Sequence, residues 1–306
     1  MTLEQLRIFL AVAEHQHFTR AAEALFVTQP AVSAAIQSLE AQYSVKLFHR
    51  IGRRIEITEA GKLLQIEAQR ILALVAQTER GLRELNNLRR GELKLGVSLT
   101  IGNYWLPDKI SQFKRQYPGI TVNCLLGNAE EICEGTATGV FDLGLVTGGV
   151  KPALQDCVQQ DIVGYERLQI VVGQSHSWFR RSQVTVEELL TTPWVMREPG
   201  SGTQRMFEQA LQKWGIPVSQ LEVILVLPSS EMVKAVVESG SGAAALPELM
   251  VYKELQLGRL HTIRVVEQDG RLLEIVQPVL KLKHRQRFQT QVAIAFEQLL
   301  QALPRI

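Results

Sequence analysis

The chain has 306 residues, 46% of them hydrophobic, and a formal charge of only +2, which excludes a disordered chain or a uniformly basic one and leaves room for a small domain plus one or two larger ones. No run approaches the roughly 18 apolar residues of a membrane span, and no basic segment followed by an apolar one suggests a secretory signal. Three cysteines, Cys124, Cys133 and Cys157, with no CxxC, fit a reducing cytoplasm rather than a disulfide scaffold, so the expected location is cytoplasmic.

Leu6, Phe9, Leu10 and Ala13 recur at helical spacing, so Leu3 to Glu14 reads as an amphipathic first helix. Thr19 stands where an N-cap is wanted for a second helix, Arg20 to Leu25, whose Ala21 and Ala22 let another helix approach closely. Thr28 caps a third helix, with Pro30 in its first turn, where a missing N–H costs little. Val32, Ile36, Leu39 and Tyr43 form the apolar stripe of that helix. Gln29, Ser33 and Gln37 fall on another face at i, i+4 and i+8, polar but uncharged, which suits hydrogen bonding to base edges in a major groove. Alone, this would be an ordinary surface helix. The short second helix and the tight turn before it make the combination a helix-turn-helix, which grips duplex DNA.

Cations are concentrated just beyond. Lys46, Arg50, Arg53 and Arg54 crowd into KLFHRIGRR, and the following IEIT alternates like a strand. A short basic hairpin there, a wing, would lie beside the duplex and meet phosphates or a minor groove. Gln29, Pro30, Ser33, Arg50, Arg53 and Arg54 are therefore the candidate DNA-binding residues.

This segment resembles the DNA-binding domain of LysR-type transcriptional regulators. The matching residues are Leu3, Leu6, Phe9, Phe18, Ala21, Ala22, Leu25, Gln29, Pro30, Ala31, Ser33, Ile36, Leu39, Glu40, Leu47, Phe48, Arg50, Arg53, Thr58, Ala60 and Gly61. The length and layout of the rest extend the resemblance over the full chain. It departs at Ala34, where many members have Arg just after the serine of the third helix, and that leaves open the contact made there by other members. The resemblance implies a bacterial-type regulator of transcription that binds double-stranded promoter DNA as a homo-oligomer. Its implied partners are a small-molecule effector and RNA polymerase.

Glu59 to Leu88 contains no Pro and carries an a/d seam of Leu64, Ala68, Ile71, Val75, Thr78, Leu82 and Leu85, weakened by Thr78 and by Gly81 between seam positions. Such a seam favours pairing with a second helix. Packing on its own chain is the other reading, but a lone helix-turn-helix reads too few base pairs, which favours a dimer. The resemblance adds that linker helices of this kind pair antiparallel and that tetramers bend DNA. Asn86 to Gly91, NNLRRG, reads as a hinge.

From Glu92 the pattern alternates. Strands are expected at ELKLGVSL, GITVNCLLG, FDLGLVTG, RLQIVVGQ, WVMREPGS, LEVILVLP and GAAALPEL, and helices at LPDKISQFKRQYP, AEEICEGTATG, VTVEELLTT, TQRMFEQALQKWG and SEMVKAVVES. LLEIVQPVLKLK is extended, and RFQTQVAIAFEQLLQAL is a terminal amphipathic helix. The series implies a parallel sheet with helices on both faces. The family resemblance implies two α/β lobes similar to periplasmic binding proteins, joined by crossing strands, with a ligand cleft between them. The expected fold class is thus an α/β chain with an N-terminal all-α winged helix-turn-helix and a two-lobe effector domain. Its parts are 1–58 for DNA binding, 59–88 for the linker helix, 89–91 for the hinge and 92–306 for the effector domain. Lobe one takes 92–163 and 269–306, and lobe two takes 164–268.

Two strand-to-helix junctions stand out, Ser98 to Asn103 and Glu198 to Gln204. Each places small hydroxyls and a glycine at a helix start, where N–H groups and the helix dipole favour an anion; capping and tight turning explain the same residues. Across an interlobe cleft they define the candidate effector-binding residues Ser98, Thr100, Thr147, Ser201 and Thr203, with Ser229 and Ser230 to complete the ring. REPGSGT resembles a stretch in members that sense small oxyanions of sulfur. No Lys or Arg lies inside SLTIGN or GSGT, so the expected effector is a compact anion held by neutral dipoles. His15 and His17 form an HxH without partner ligands, so no metal site is expected, and no motif calls for a cofactor. There is no GxSxG, P-loop or pair of catalytic carboxylates, which argues against an enzyme. A transporter's solute-binding protein would lack the helix-turn-helix. A redox-sensing regulator using Cys124 or Cys133 is the alternative, although a buried Cys usually packs as a small apolar residue.

Overall fold

The structure, a computed structural model, describes residues 1–51, 54–84 and 91–300, with backbone alone at 50, 51, 54, 83 and 84. The chain divides into two compact units, one built on Met1–Leu82 and the other on the residues from Arg83 onward.

The first unit runs α1 (Leu3–His15), α2 (Phe18–Ala24), α3 (Gln29–Tyr43), β1 (Phe48–Ile51), β2 (Arg54–Ile57) and α4 (Glu59–Glu84). Thr2 starts α1 with a reciprocal capping box to Gln5. The cap of α2 is His17 and not Thr19: its Nδ1 accepts from the N–H groups of Thr19 and Arg20, so an imidazole does the work usually given to a hydroxyl. Thr28 holds the cap position of α3 but makes no side-chain cap hydrogen bond. Val32, Ile36 and Leu39 are buried as their spacing predicts, while Tyr43 is half exposed. They pack with Phe9, Val12, Ala21 and Ala22. Phe48 closes that core, its ring 5.3 Å from Phe9 and 6.3 Å from Phe18. The wing is an antiparallel pair in which Arg50 faces Ile55 and Ile51 faces Arg54. Arg53, at the tip of the expected hairpin, lies outside the described residues.

The seam of α4 divides in two. Ala68, Leu64 and Ile71 pack against the unit's own core, whereas Leu82 is exposed and Thr78 donates to the Leu74 carbonyl at 2.9 Å. Leu85 and residues 89–90 of the expected hinge are outside the described residues.

The second unit runs β3 (Gly91–Ser98), α5 (Leu99–Tyr104), α6 (Leu106–Gln116), β4 (Ile120–Gly127), α7 (Ala129–Thr138), β5 (Leu143–Thr147) and the long β6 (Val158–Gly173). Then come β7 (Gln183–Thr185), β8 (Pro193–Arg197), α8 (Gly202–Lys213), β9 (Glu222–Leu227), α9 (Ser230–Glu238), β10 (Ala243–Pro247) and α10 (Glu248–Gln256). It closes with β11 (Leu260–Val266), β12 (Leu272–Leu273), β13 (Ile275–His284) and α11 (Gln291–Leu300). The main sheet is ordered β4-β3-β5-β13-β6-β10-β8-β9. Pairing is parallel within each lobe, between β3 and its neighbours and between β8 and its neighbours. Around β6 and β13 it is antiparallel, so the sheet is mixed rather than parallel throughout. VTVEELLTT is not an α-helix: β7 ends at Thr185 and a 3-10 turn follows at Glu187–Thr191.

The crossing strands tie the lobes together. Leu168 and Ile170 of β6 and Ile275 of β13 join Trp194 and Phe207 in the second-lobe core. Val279 joins Phe113, Leu145 and Phe296 in the first-lobe core. The return crossing therefore falls between Ile275 and Val279, later than the 269 expected from the sequence. At that point Val279 pairs with Gly164 and Leu280 with Ile162, so Val163 is an extra residue, a β-bulge that bends the strand.

Candidate DNA-reading surface and effector cleft

On the first unit, α3 buries one face and leaves Gln29, Pro30, Ala34 and Gln37 exposed, with Ser33 half-buried. The polar row expected to meet bases is thus the solvent face of a helix whose other side fills the core. Glu40 fixes the entry to the wing. Burial pushes its carboxyl up, but hydrogen bonds from Lys46 (2.8 Å) and from the N–H of Leu47 (2.9 Å) outweigh that and hold its pKa below the usual range. Thr58 ties the wing's far end to α4, donating to the Lys46 carbonyl at 2.6 Å and accepting from the Gly61 N–H at 2.9 Å. Gly61 is required here, since a Cβ would lie 2.4 Å from the Leu47 carbonyl oxygen.

On the second unit, Ser98, Thr100, Thr147, Ser201 and Thr203 are all buried. Ser98 ends β3 one position beyond Val97, which pairs with Leu145 of β5, and Thr147 is the last residue of β5. Ser201 caps α8, accepting from the Gln204 N–H at 3.3 Å. The lobes meet here closely: a Cβ on Gly202 would lie 1.9 Å from the Thr147 carbonyl oxygen. The structure therefore brings the start of α8 against the end of β5. The Ser98 hydroxyl is buried without a hydrogen-bond partner. An open cavity of about 1070 Å³ runs beside α8 and takes Ser201 alone of the five into its lining, with Lys151, Arg197, Gln204 and Arg205. Ser229 and Ser230 both have partners within the second lobe. Ser229 caps α9 by accepting from the Glu231 N–H at 3.2 Å, and Ser230 accepts from Arg197.

Sequence reasoning missed Arg197. It is buried and held by Glu198 through Nε–Oε2 at 2.7 Å and Nη2–Oε1 at 2.9 Å. Both oxygens of one carboxylate are engaged, so the pair brings no net charge to the α8 terminus. It also missed Glu166 and Gln277, which oppose each other across β6 and β13. Gln277 Nε2 donates to Glu166 Oε2 at 2.7 Å, leaving Glu166 Oε1 and Gln277 Oε1 buried and unpartnered. A strand residue shares its face with those two positions away, so Gln277 sits between Ile275 of one core and Val279 of the other. Tyr104 of α5 donates to Glu231 of α9, and Lys234 Nζ lies 3.0 Å from the same hydroxyl, a second tie between the lobes.

The three cysteines are free thiols. Cys133 is buried, and burial pushes its thiol up to about 11. Cys124 lies in β4 but is exposed, contrary to the packing role expected, and its thiol is also raised by partial burial. His17 is spent on capping α2, and the described residues hold no cluster of metal-ligating side chains. No described helix is long and apolar enough to cross a membrane.

A winged helix-turn-helix followed by a two-lobe α/β unit with buried hydroxyls at the junction is the architecture of a ligand-responsive DNA-binding regulator. The comparisons agree. Residues 3–62 match the bacterial regulatory helix-turn-helix of the lysR family, and residues 86–304 match the LysR substrate binding domain. The chain belongs to the LysR family of transcriptional regulators. Relatives include a probable RuBisCO transcriptional regulator of Synechocystis sp., 35% identical over 90% of this chain and 81% of its own length. Another of that description, from Cyanidioschyzon merolae, is 33% identical over 96% of both. Among solved structures, the LysR family regulator CbnR matches 98% of both chains at TM-score 0.71 and 21% identity. CbnR has also been solved in complex with its target DNA. A full-length OxyR variant from Pseudomonas aeruginosa matches 99% of both chains at TM-score 0.66 and 21% identity.

Burial pushes the Glu166 carboxyl up to about 7, against the hydrogen bond from Gln277 and with a contribution from Glu248. Its folded pKa therefore exceeds the ordinary value of 4.5. Between those pH values the native state keeps a proton that the unfolded state has lost, so stability falls as pH rises through this window and is level above it. The full effect is roughly 3 kcal/mol. Thermal unfolding of Glu166→Gln from pH 4.5 to 8 should lack this component and show the variant more stable than wild type at pH 8. An unchanged pH profile would remove Glu166 from the account.

Proposed function

We propose that this chain is an oligomeric regulator whose promoter binding is set by a small anion held between the lobes of its effector domain. The observation that carries this reading is the meeting of the β5 end with the start of α8, beside the end of β3, which pairs with β5; Ser98, Thr147, Ser201 and Thr203 are buried and the Ser98 hydroxyl has no partner. Thr100 follows Ser98 in the first turn of α5. Hydroxyls, together with the free N–H groups that begin the twelve-residue α8, suit a compact oxyanion or small carboxylate, because hydrogen bonds to a charged acceptor are the strong ones. Arg197 is neutralised by Glu198, so the hydroxyls and helix N–H groups, rather than this guanidinium, would carry the recognition. Thiols raised by burial favour this reading over redox sensing, which needs a thiolate.

Binding would bias the lobes about the β6–β13 crossing and shift the oligomer's hold on DNA. Gln29, Pro30 and Ser33 would read or flank base edges, and Arg50, Arg53 and Arg54 would meet phosphates. RNA polymerase is the partner such a promoter complex meets. The names of the relatives make RuBisCO promoters the first targets to try.

Calorimetry with sulfate, sulfite, phosphate and small metabolic carboxylates tests the pocket. An anion should bind wild type and lose at least tenfold in affinity for Thr203→Val and Thr100→Val, as expected where one charged hydrogen bond contributes roughly 1.5–3 kcal/mol. Binding that survives intact in both variants sinks the pocket, and binding of large aromatic ligands only sinks the anion.

Oligomerisation has its own support. Leu63, Ile66, Leu74 and Leu82 are exposed along α4, and a hollow of about 360 Å³ beside Leu63 is lined by Leu39, Tyr43, Val45 and Leu47. A second copy of this chain would cover that face. Because Ile71 packs on the unit's own core, Leu74→Asp is the cleaner probe. It should lower the mass seen by analytical ultracentrifugation while leaving the far-UV circular dichroism unchanged, and an unchanged mass counts against α4 as the interface.

A further inference from the structure

The turn between α2 and α3 carries an anomaly. Phe26 is 96% exposed. Its backbone is left-handed, with φ of 56°. Two hydrogen bonds lock it there, from the Phe26 N–H to the Glu23 carbonyl at 3.2 Å and from the Val27 N–H to the Ala22 carbonyl at 3.0 Å. This helix-ending geometry is usually filled by Gly, sometimes by Asn. A bulky side chain is strained in it. Phe26 therefore costs the fold conformational energy and gains no packing in return. Strain held against the fold's interest concentrates at functional sites.

The place names the occupant. Phe26 is two residues before Thr28, the cap residue of α3, and Gln29 and Pro30 after it are exposed. The exposed ring is thus close in sequence to the exposed start of α3, and in a lysR-family helix-turn-helix the partner expected there is duplex DNA. The ring's chemistry narrows the contact. It has no donor for a phosphate or a base acceptor. Its apolar counterpart in a major groove is the thymine 5-methyl group.

We propose that Phe26 is a base-reading residue, its ring packing on the 5-methyl group of a thymine beside the bases met by the first turn of α3. This contact is uncharged, so it adds sequence preference without adding to the salt dependence that phosphate contacts create.

The test uses the full chain and a duplex that wild type selects from a randomised pool. Each thymidine of one half-site is replaced in turn by deoxyuridine, which lacks only the methyl group. At one position the replacement should weaken wild type about fourfold, the worth of one buried methyl or methylene, and leave Phe26→Asn unaffected. Phe26→Asn should bind the thymidine duplex several-fold more weakly, with the same slope of log affinity against log salt. Its Tm should rise, because Asn tolerates the left-handed turn. Phe26→Gly, which the turn accepts most readily, repeats the comparison should the Asn variant fold poorly. If the variants bind thymidine and deoxyuridine duplexes as wild type does, Phe26 is not in the DNA interface and the proposal fails. A loss equal on both duplexes at every position, or a lowered Tm accompanied by loss on all DNA, overturns it in favour of a sugar contact or a structural role.

Discussion

The antiparallel pairing of β6 with β13 is the constraint on which the second unit depends. Each lobe has its own parallel strands and its own core, one around Phe113 and Phe296, the other around Trp194 and Phe207. Two strands, β6 and β13, run through both cores and link them. The bulge at Val163 places the bend where the cores hand over. The buried Glu166–Gln277 pair lies on the second-lobe side of that bend, with two acceptor oxygens unpaired. Leaving a buried polar group unpaired costs about 1–3 kcal/mol.

The first-lobe end of the crossing is held differently. Lys281 of β13 is buried, bonds Glu297 of α11 and lies 3.1 Å from Asp161 of β6. Burial raises both carboxyls, but the hydrogen bonds from Lys281 outweigh it, joined by Gln289 at Glu297 and Gln159 at Asp161, so both pKa values fall below the ordinary range. This pins α11 and both crossing strands into one body. The crossing is thus asymmetric, with an ion network at its first-lobe end and an unpaired polar couple toward the second.

The first unit was legible in the sequence because its signals are local. Three helices with a 3.6 period and a Pro in a first turn leave few alternatives, and the polar row on α3 follows from the same period. What escaped did so for physical reasons. The first half of β6, VQQDIVG, reads as polar because its Asp161 is matched by Lys281 from a strand 120 positions away in sequence. α10 begins directly after Pro247, which ends β10, so its first residues looked like the tail of a strand. EELL has helical character, but it is confined between β7 and β8 and closes only a 3-10 turn. Of the candidate cleft, the hydroxyls at strand ends were legible as caps. The Glu166–Gln277 couple was not, because its two members come from strands 111 positions apart in sequence and only their pairing shows the partner.

In the proposed reading DNA binding and effector binding belong to separate units of the chain, so the effect of one on the other is a coupling free energy, which must be reciprocal. The most direct test is the equilibrium affinity of the full chain for a duplex it selects from a randomised pool, measured at fixed ionic strength with and without a saturating small anion. The account predicts that an anion bound by the effector domain changes that affinity by roughly 5- to 150-fold, and that the duplex changes the anion's affinity by the same factor. An anion that binds tightly and leaves DNA affinity and footprint unchanged would contradict it.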